Sequence, residues 1–127
     1  DEAEALEKNA TFTKAQKDDP RVQAAWQWVR KNYDFSQHPG MGTTSYYYYL
    51  QTAAGALEAY GEAFVPDEKG RKRSWASDLV NRMLSMQKAD GSWANENPKY
   101  WENNPLLATA RAVTTINHAL RAAGVHK

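Results

Sequence analysis

Apolar side chains recur at three- and four-residue spacing in four stretches of the chain, each bracketed by residues that start and stop helices. The first runs from about Pro20 to Tyr33, with Val22, Ala25, Trp26 and Val29 on one face. Asp19 is placed to cap it, and Pro20 takes the first helical position, where a missing N–H costs nothing. A second helix is predicted from about Thr44 to Ala59, capped by Thr43 or Thr44 and stopped by Gly61. The third spans about Ser74 to Gln87 and carries Leu79, Met83, Leu84 and Met86. The fourth runs from about Pro105 to Ala123, with Asn104 as its cap and Gly124 as its end. A run of Glu and Ala predicts a short fifth helix over about Glu2 to Lys8, where only Leu6 offers much to bury.

The helices are of two kinds. Ala53, Ala54, Gly55, Ala56 and Ala59 crowd the second, and Ala108, Ala110, Ala112 and Ala119 the fourth. Small side chains let backbones approach closely, which suits an inner layer. The first carries Arg21, Arg30 and Lys31 and the third Asp78 and Arg82, which suits an outer layer facing water. The pattern also repeats: Ala56-Leu57-Glu58-Ala59-Tyr60-Gly61 and Ala119-Leu120-Arg121-Ala122-Ala123-Gly124 both read Ala-Leu-x-Ala-x-Gly. Each follows a charged helix and a corner, as expected of stacked helical hairpins.

Charge and composition remove several function classes. With 16 Lys and Arg against 15 Asp and Glu in 127 residues, the formal charge is +1, and no strong field draws the chain to nucleic acid. Arg71-Lys72-Arg73 lies beside Asp67 and Glu68 and reads as a solvated turn. No cysteine is present, so there is no disulfide and no thiolate nucleophile or ligand. His38, His118 and His126 lack metal-binding spacing, so no metal or other cofactor is expected. No apolar run nears the roughly 20 residues of a membrane span.

Between the third and fourth helices stands Gln87-Lys88-Ala89-Asp90-Gly91-Ser92-Trp93: a Gln, a tight Asp-Gly turn, then an indole. Followed by Asn104-Pro105-Leu106-Leu107-Ala108-Thr109-Ala110, it resembles the QW-type repeat of the terpenoid cyclase and protein prenyltransferase superfamily. The likeness is closest to bacterial proteins with prenyltransferase or squalene-oxidase repeats. It is good over residues 74–124 and weaker over 20–61, where Pro39-Gly40-Met41-Gly42 replaces the Gln-turn-Trp element. The resemblance implies an all-α chain: a single domain over residues 1–127, made of two antiparallel helical hairpins that form part of an α/α toroid. A full toroid needs more hairpins, so the resemblance further implies a fragment, or a ring completed by self-association. The reactive groups of that superfamily are absent. Asp18-Asp19 reads as helix caps rather than as an acid motif, and neither a zinc-binding nor a thioester cysteine exists.

Candidate binding residues are therefore aromatic. Tyr46-Tyr47-Tyr48-Tyr49 point in four directions about 100° apart, so one or two of them, Tyr46 or Tyr49, can line a cavity mouth while the rest pack. Trp93 and Trp101 sit on the long corner from Ala89 to Asn104, which also holds Asp90, Glu96 and Glu102. The expected function is a ligand- or protein-binding module for a hydrophobic or carbohydrate ligand, with no catalytic residue of its own. The competing class is a piece of an enzyme, a terpene-type cyclase or a polysaccharide-degrading α/α enzyme. An enzyme should bring acidic groups together across an aromatic cleft; a binder should not.

Overall fold

Capping chemistry fixes where most of the helices begin in the computed structural model, which describes residues 11–124. The helix expected over Glu2–Lys8, and His126, lie outside the described residues. Helix α1 (Lys14–Asp18) was not expected; Thr13 and Gln16 close a reciprocal capping box around its first turn. Asp19 then caps α2 (Pro20–Lys31) by accepting from the Arg21 N–H at 2.8 Å. Asn104 does the same for α5 (Pro105–Ala122), accepting from Leu106. Helix α3 (Tyr46–Tyr60) ends at Gly61, whose φ of 87° is cheap only for glycine. Helix α4 (Trp75–Met86) follows Ser74, and a short 3₁₀ turn (Lys99–Trp101) lies between α4 and α5.

The chain is mostly helical, with two corrections to the expected layout. The stretch around Arg71-Lys72-Arg73 is not simply a solvated turn. Strands β1 (Phe64–Pro66) and β2 (Lys72–Ser74) pair antiparallel, Val65 opposite Arg73, so the fold is not purely all-α. Asp67 closes the loop between them, accepting from the N–H groups of Lys69 and Arg71, and Val65 is fully buried beneath it. The second correction concerns the start of α3. Neither Thr43 nor Thr44 caps it; both hydroxyls accept from Asn97 instead. Ser45 occupies the cap position in left-handed geometry without a side-chain bond. The helix is capped from a distance by Glu102, whose carboxylate accepts from the N–H groups of Tyr47 (3.0 Å) and Tyr48 (2.8 Å).

Three helices make the core. The small-residue faces of α3 and α5 pack together through buried Ala54, Ala108, Ala112 and Ala119. Helix α4 lays Trp75, Leu79 and Met83 against them. Helix α2 buries no residue fully and stands off from α3. It is held by Arg30 Nε donating to the Pro66 carbonyl (2.8 Å), by a Trp26–Tyr60 ring stack at 4.1 Å, and by the Tyr33 hydroxyl on Asp78 (2.7 Å).

Across the α3–α5 contact, Glu58 accepts from Arg121 Nη2 at 2.7 Å and lies 3.1 Å from His118 Nδ1. Burial opposes ionisation of Glu58, but the bonds from Arg121 and His118 outweigh it and hold the carboxyl below the ordinary Glu range. A lowered folded-state pKa adds stability that is complete above the unfolded value and is lost as pH falls through the folded one. Thermal melts of the wild type between about pH 5 and 3 should therefore fall more steeply than those of Glu58→Gln, by up to about 1 kcal/mol for a carboxylate that solvent still reaches. Parallel slopes would show that the cluster adds nothing.

Candidate apolar binding cleft

The gap between α2 and α3 is a cleft of about 470 Å³, within the range of small-molecule sites. One wall is the face predicted for α2: Val22, Ala25, Trp26 and Val29. The other is the face of α3 carrying Tyr49, Ala53, Ala56, Leu57 and Tyr60. Phe12 meets the edge of the Tyr60 ring at one end, and Tyr33 tilts against Phe35 at the other. The lining surface is almost wholly apolar.

Two of the polar side chains along it, Tyr49 and Asp34, are bonded within the chain. The Tyr49 hydroxyl donates to the Asp34 carbonyl at 2.7 Å, and its ring stacks on His38 at 5.0 Å. Burial, reinforced by the neighbouring Asp34 charge, pushes this phenol up to about 12, so it stays a neutral donor at physiological pH. Asp34 is the one carboxylate among the lining residues. Burial resists its ionisation, yet bonds from Ser36 and Gln37 prevail and keep it below the ordinary Asp range. Among the described lining residues, no second carboxylate stands beside it to pair as acid and base.

Of the residues singled out in the sequence, Tyr49 lines this cleft. Tyr46 is buried behind it, donating to the Phe35 carbonyl and accepting from Arg82 Nε. Trp93 is buried on the far side of the core, its indole N–H donating to the Met83 carbonyl at 2.8 Å. Trp101 is 75% exposed on the corner, in left-handed geometry. The four are not brought to one place. Sequence reasoning did not assign Trp26, Tyr60 and Phe12 to a site. The available signal was the apolar face of α2, too aromatic for one turned wholly to water.

The corner carboxylates also find structural uses. Asp90 accepts from the Ser92 N–H and hydroxyl within its own turn, and Glu102 caps α3. Among the described residues, no group of three or more His, Asp or Glu could hold a metal ion, and no helix is long and apolar enough to cross a membrane. Fold and cleft thus define a mostly helical domain with an aromatic-walled apolar groove. Comparison of the chain with family models, with curated proteins and with solved structures found no match.

Proposed function

We propose that the protein is a binding module that holds an apolar ligand between α2 and α3, without a catalytic centre of its own. The observation that carries this is the cleft: ligand-sized, aromatic-walled, nearly free of polar atoms and lined by a single carboxylate already bonded to Ser36. A carbohydrate needs convergent donors and acceptors at its hydroxyls, which this lining lacks, so the hydrophobic ligand is the better fit. An enzyme reading would need paired acid and base groups across the groove, and among the described lining residues Asp34 is the one carboxylate.

The α/α-toroid reading belongs to the same proposal. It draws support from the Ala-rich packing of α3 on α5 and from the Gln87 side chain donating to the Gly91 carbonyl across a turn that delivers a buried indole. On this reading, residues 20–61 and 74–124 are two hairpins of a larger or self-completed ring.

The test is a titration with Prodan, a neutral naphthalene dye that brightens in apolar surroundings, read also by energy transfer from the chain's tryptophans, of which Trp26 and Trp28 line the cleft. One saturable site per chain is expected. Ala53→Trp, which fills the cleft from the α3 wall, should weaken binding by at least about tenfold while leaving the helical circular dichroism unchanged. Dye binding of the same strength in Ala53→Trp would place the site elsewhere and overturn the assignment. Competition by soluble oligosaccharides would favour the sugar reading.

A further inference from the structure

A surface helix normally turns charge toward water, and before its last turn α5 does not. Over residues 105–120 its exposed positions are Pro105, Leu106, Ala110, Val113, Asn117 and Leu120, none of them charged. Leu106 is 79% exposed and Val113 55%, both well clear of the core formed by Ala108, Ala112, Thr115 and Ala119 on the opposite side. Of its charged side chains, Arg111 is drawn toward Glu102, while Arg121, half exposed at the end of the helix, reaches Glu58. From Leu106 onward the exposed residues are spaced alternately by four and three, which is the seam of a two-helix coiled coil. No residue of α5 lines the apolar cleft, so this face is independent of it.

The seam is also symmetric. Val113 lies at its middle, with a leucine seven residues to either side, and the set spans about 21 Å of helix. A two-fold axis through Val113 in an antiparallel pair sets Leu106 against the partner's Leu120, Val113 against its own copy, and Ala110 within one residue's rise of the partner's Asn117. Such self-complementarity is what an isologous interface requires of one surface. The small Ala110 lets the backbones approach, and Asn117 penalises other registers. Antiparallel pairing also sets opposite helix-dipole ends side by side.

We propose that the occupant of this face is a second copy of the chain, paired antiparallel through α5 about Val113. One helix pair covers less than the ~800 Å² per partner of a standard interface, so the dimer forms reversibly at micromolar or higher concentration.

The chain has no cysteine, so single cysteines report on contact without background. Under copper-phenanthroline oxidation, Val113→Cys should link to itself in high yield. Leu106→Cys alone should not, whereas a mixture of Leu106→Cys with Leu120→Cys should give the mixed dimer. Val113→Glu, a substitution at an exposed site, should keep the fold by circular dichroism. It should also raise the dissociation constant on the order of 100-fold in sedimentation equilibrium, since two carboxylates would meet at the axis. A wild-type chain that stays monomeric up to roughly millimolar concentration overturns the proposal. So does self-linking by Leu106→Cys equal to that by Val113→Cys, which would indicate a parallel or unspecific contact. Association left unchanged by Val113→Glu would also overturn it, because the contact would then lie on another face.

Discussion

Replacing Glu102 by alanine is expected to destabilise the protein by about 3–5 kcal/mol, measured by urea denaturation at neutral pH. The side chain is 1% exposed and does the work of a helix cap from 55 residues away in the chain. Its oxygens accept from the N–H groups of Tyr47 and Tyr48, and Oε1 also accepts from Asn95 Nδ2 at 3.2 Å. Truncation leaves these donors facing a void, at about 1–3 kcal/mol for each group stranded from water. It also removes the carboxylate 3.9 Å from Arg111 Nε, an atom that is buried and has no hydrogen-bond partner of its own. The guanidinium, over the Tyr48 ring at 5.1 Å, would then be a partly buried charge without its counter-ion. Two controls separate these contributions. Glu102→Gln keeps the volume but offers one acceptor oxygen in place of two, and should cost about half as much. Arg111→Met in the Glu102→Ala background should recover part of the loss, because it removes the orphaned charge. A loss below about 1 kcal/mol for Glu102→Ala would mean that the start of α3 is held by packing alone.

That distant cap marks the boundary of what was legible in the sequence. Helices α2, α4 and α5 were readable because their signals are local: Asp19-Pro20 and Asn104-Pro105 at the starts, with apolar periodicity through each interior. The body of α3 was readable for the same reason, but its start was not. A side chain from the corner before α5 holds those N–H groups, and no window around Thr43 contains it. The ribbon of β1 and β2 was missed because each strand has three residues, one including Pro66 and the other mostly charged, too short to show alternation. Short α1 had a capping signature in Thr13 and Gln16 but no apolar face to draw attention to it.

The cleft shows a subtler limit. Periodicity correctly marked Val22, Ala25, Trp26 and Val29 as one apolar face. Whether such a face closes on its neighbour or stops short depends on what props the helix. Here the props are the Trp26–Tyr60 stack and the Arg30 bond to Pro66, contacts between residues more than thirty apart. The tyrosine run obeyed the 100° rule, its four rings meeting three different fates. Tyr46 and Tyr47 are buried, Tyr48 is exposed beneath Arg111, and Tyr49 lines the cleft. Which of the four would face the cleft follows from the position of α2, and that position is tertiary information.

The corner after α4 supplies the second large effect. Trp93→Ala should cost about 3–5 kcal/mol, which for a domain of this size lowers the melting temperature by roughly 10–20 °C. The indole is 4% exposed, packs within the core, and gives its N–H to the last turn of α4 at the Met83 carbonyl. Its own backbone N–H donates to Thr109 Oγ1 at 3.0 Å, so one residue fastens the corner to both α4 and α5. Truncation opens a cavity at that junction and leaves the Met83 carbonyl without its side-chain donor. Trp93→Phe retains most of the apolar fill but cannot make the bond to Met83, and should fall between wild type and alanine by about 1–2 kcal/mol. Trp101→Ala is the internal comparison, the same substitution eight residues on at a side chain that is mostly in water. It should change stability by no more than about 0.5 kcal/mol. The corner is a fastening because of which indole it buries, not because it is rich in aromatics. Equal losses at Trp93 and Trp101 would contradict that account, since a general aromatic contribution would not distinguish a ring bonded to α4 from one exposed to solvent.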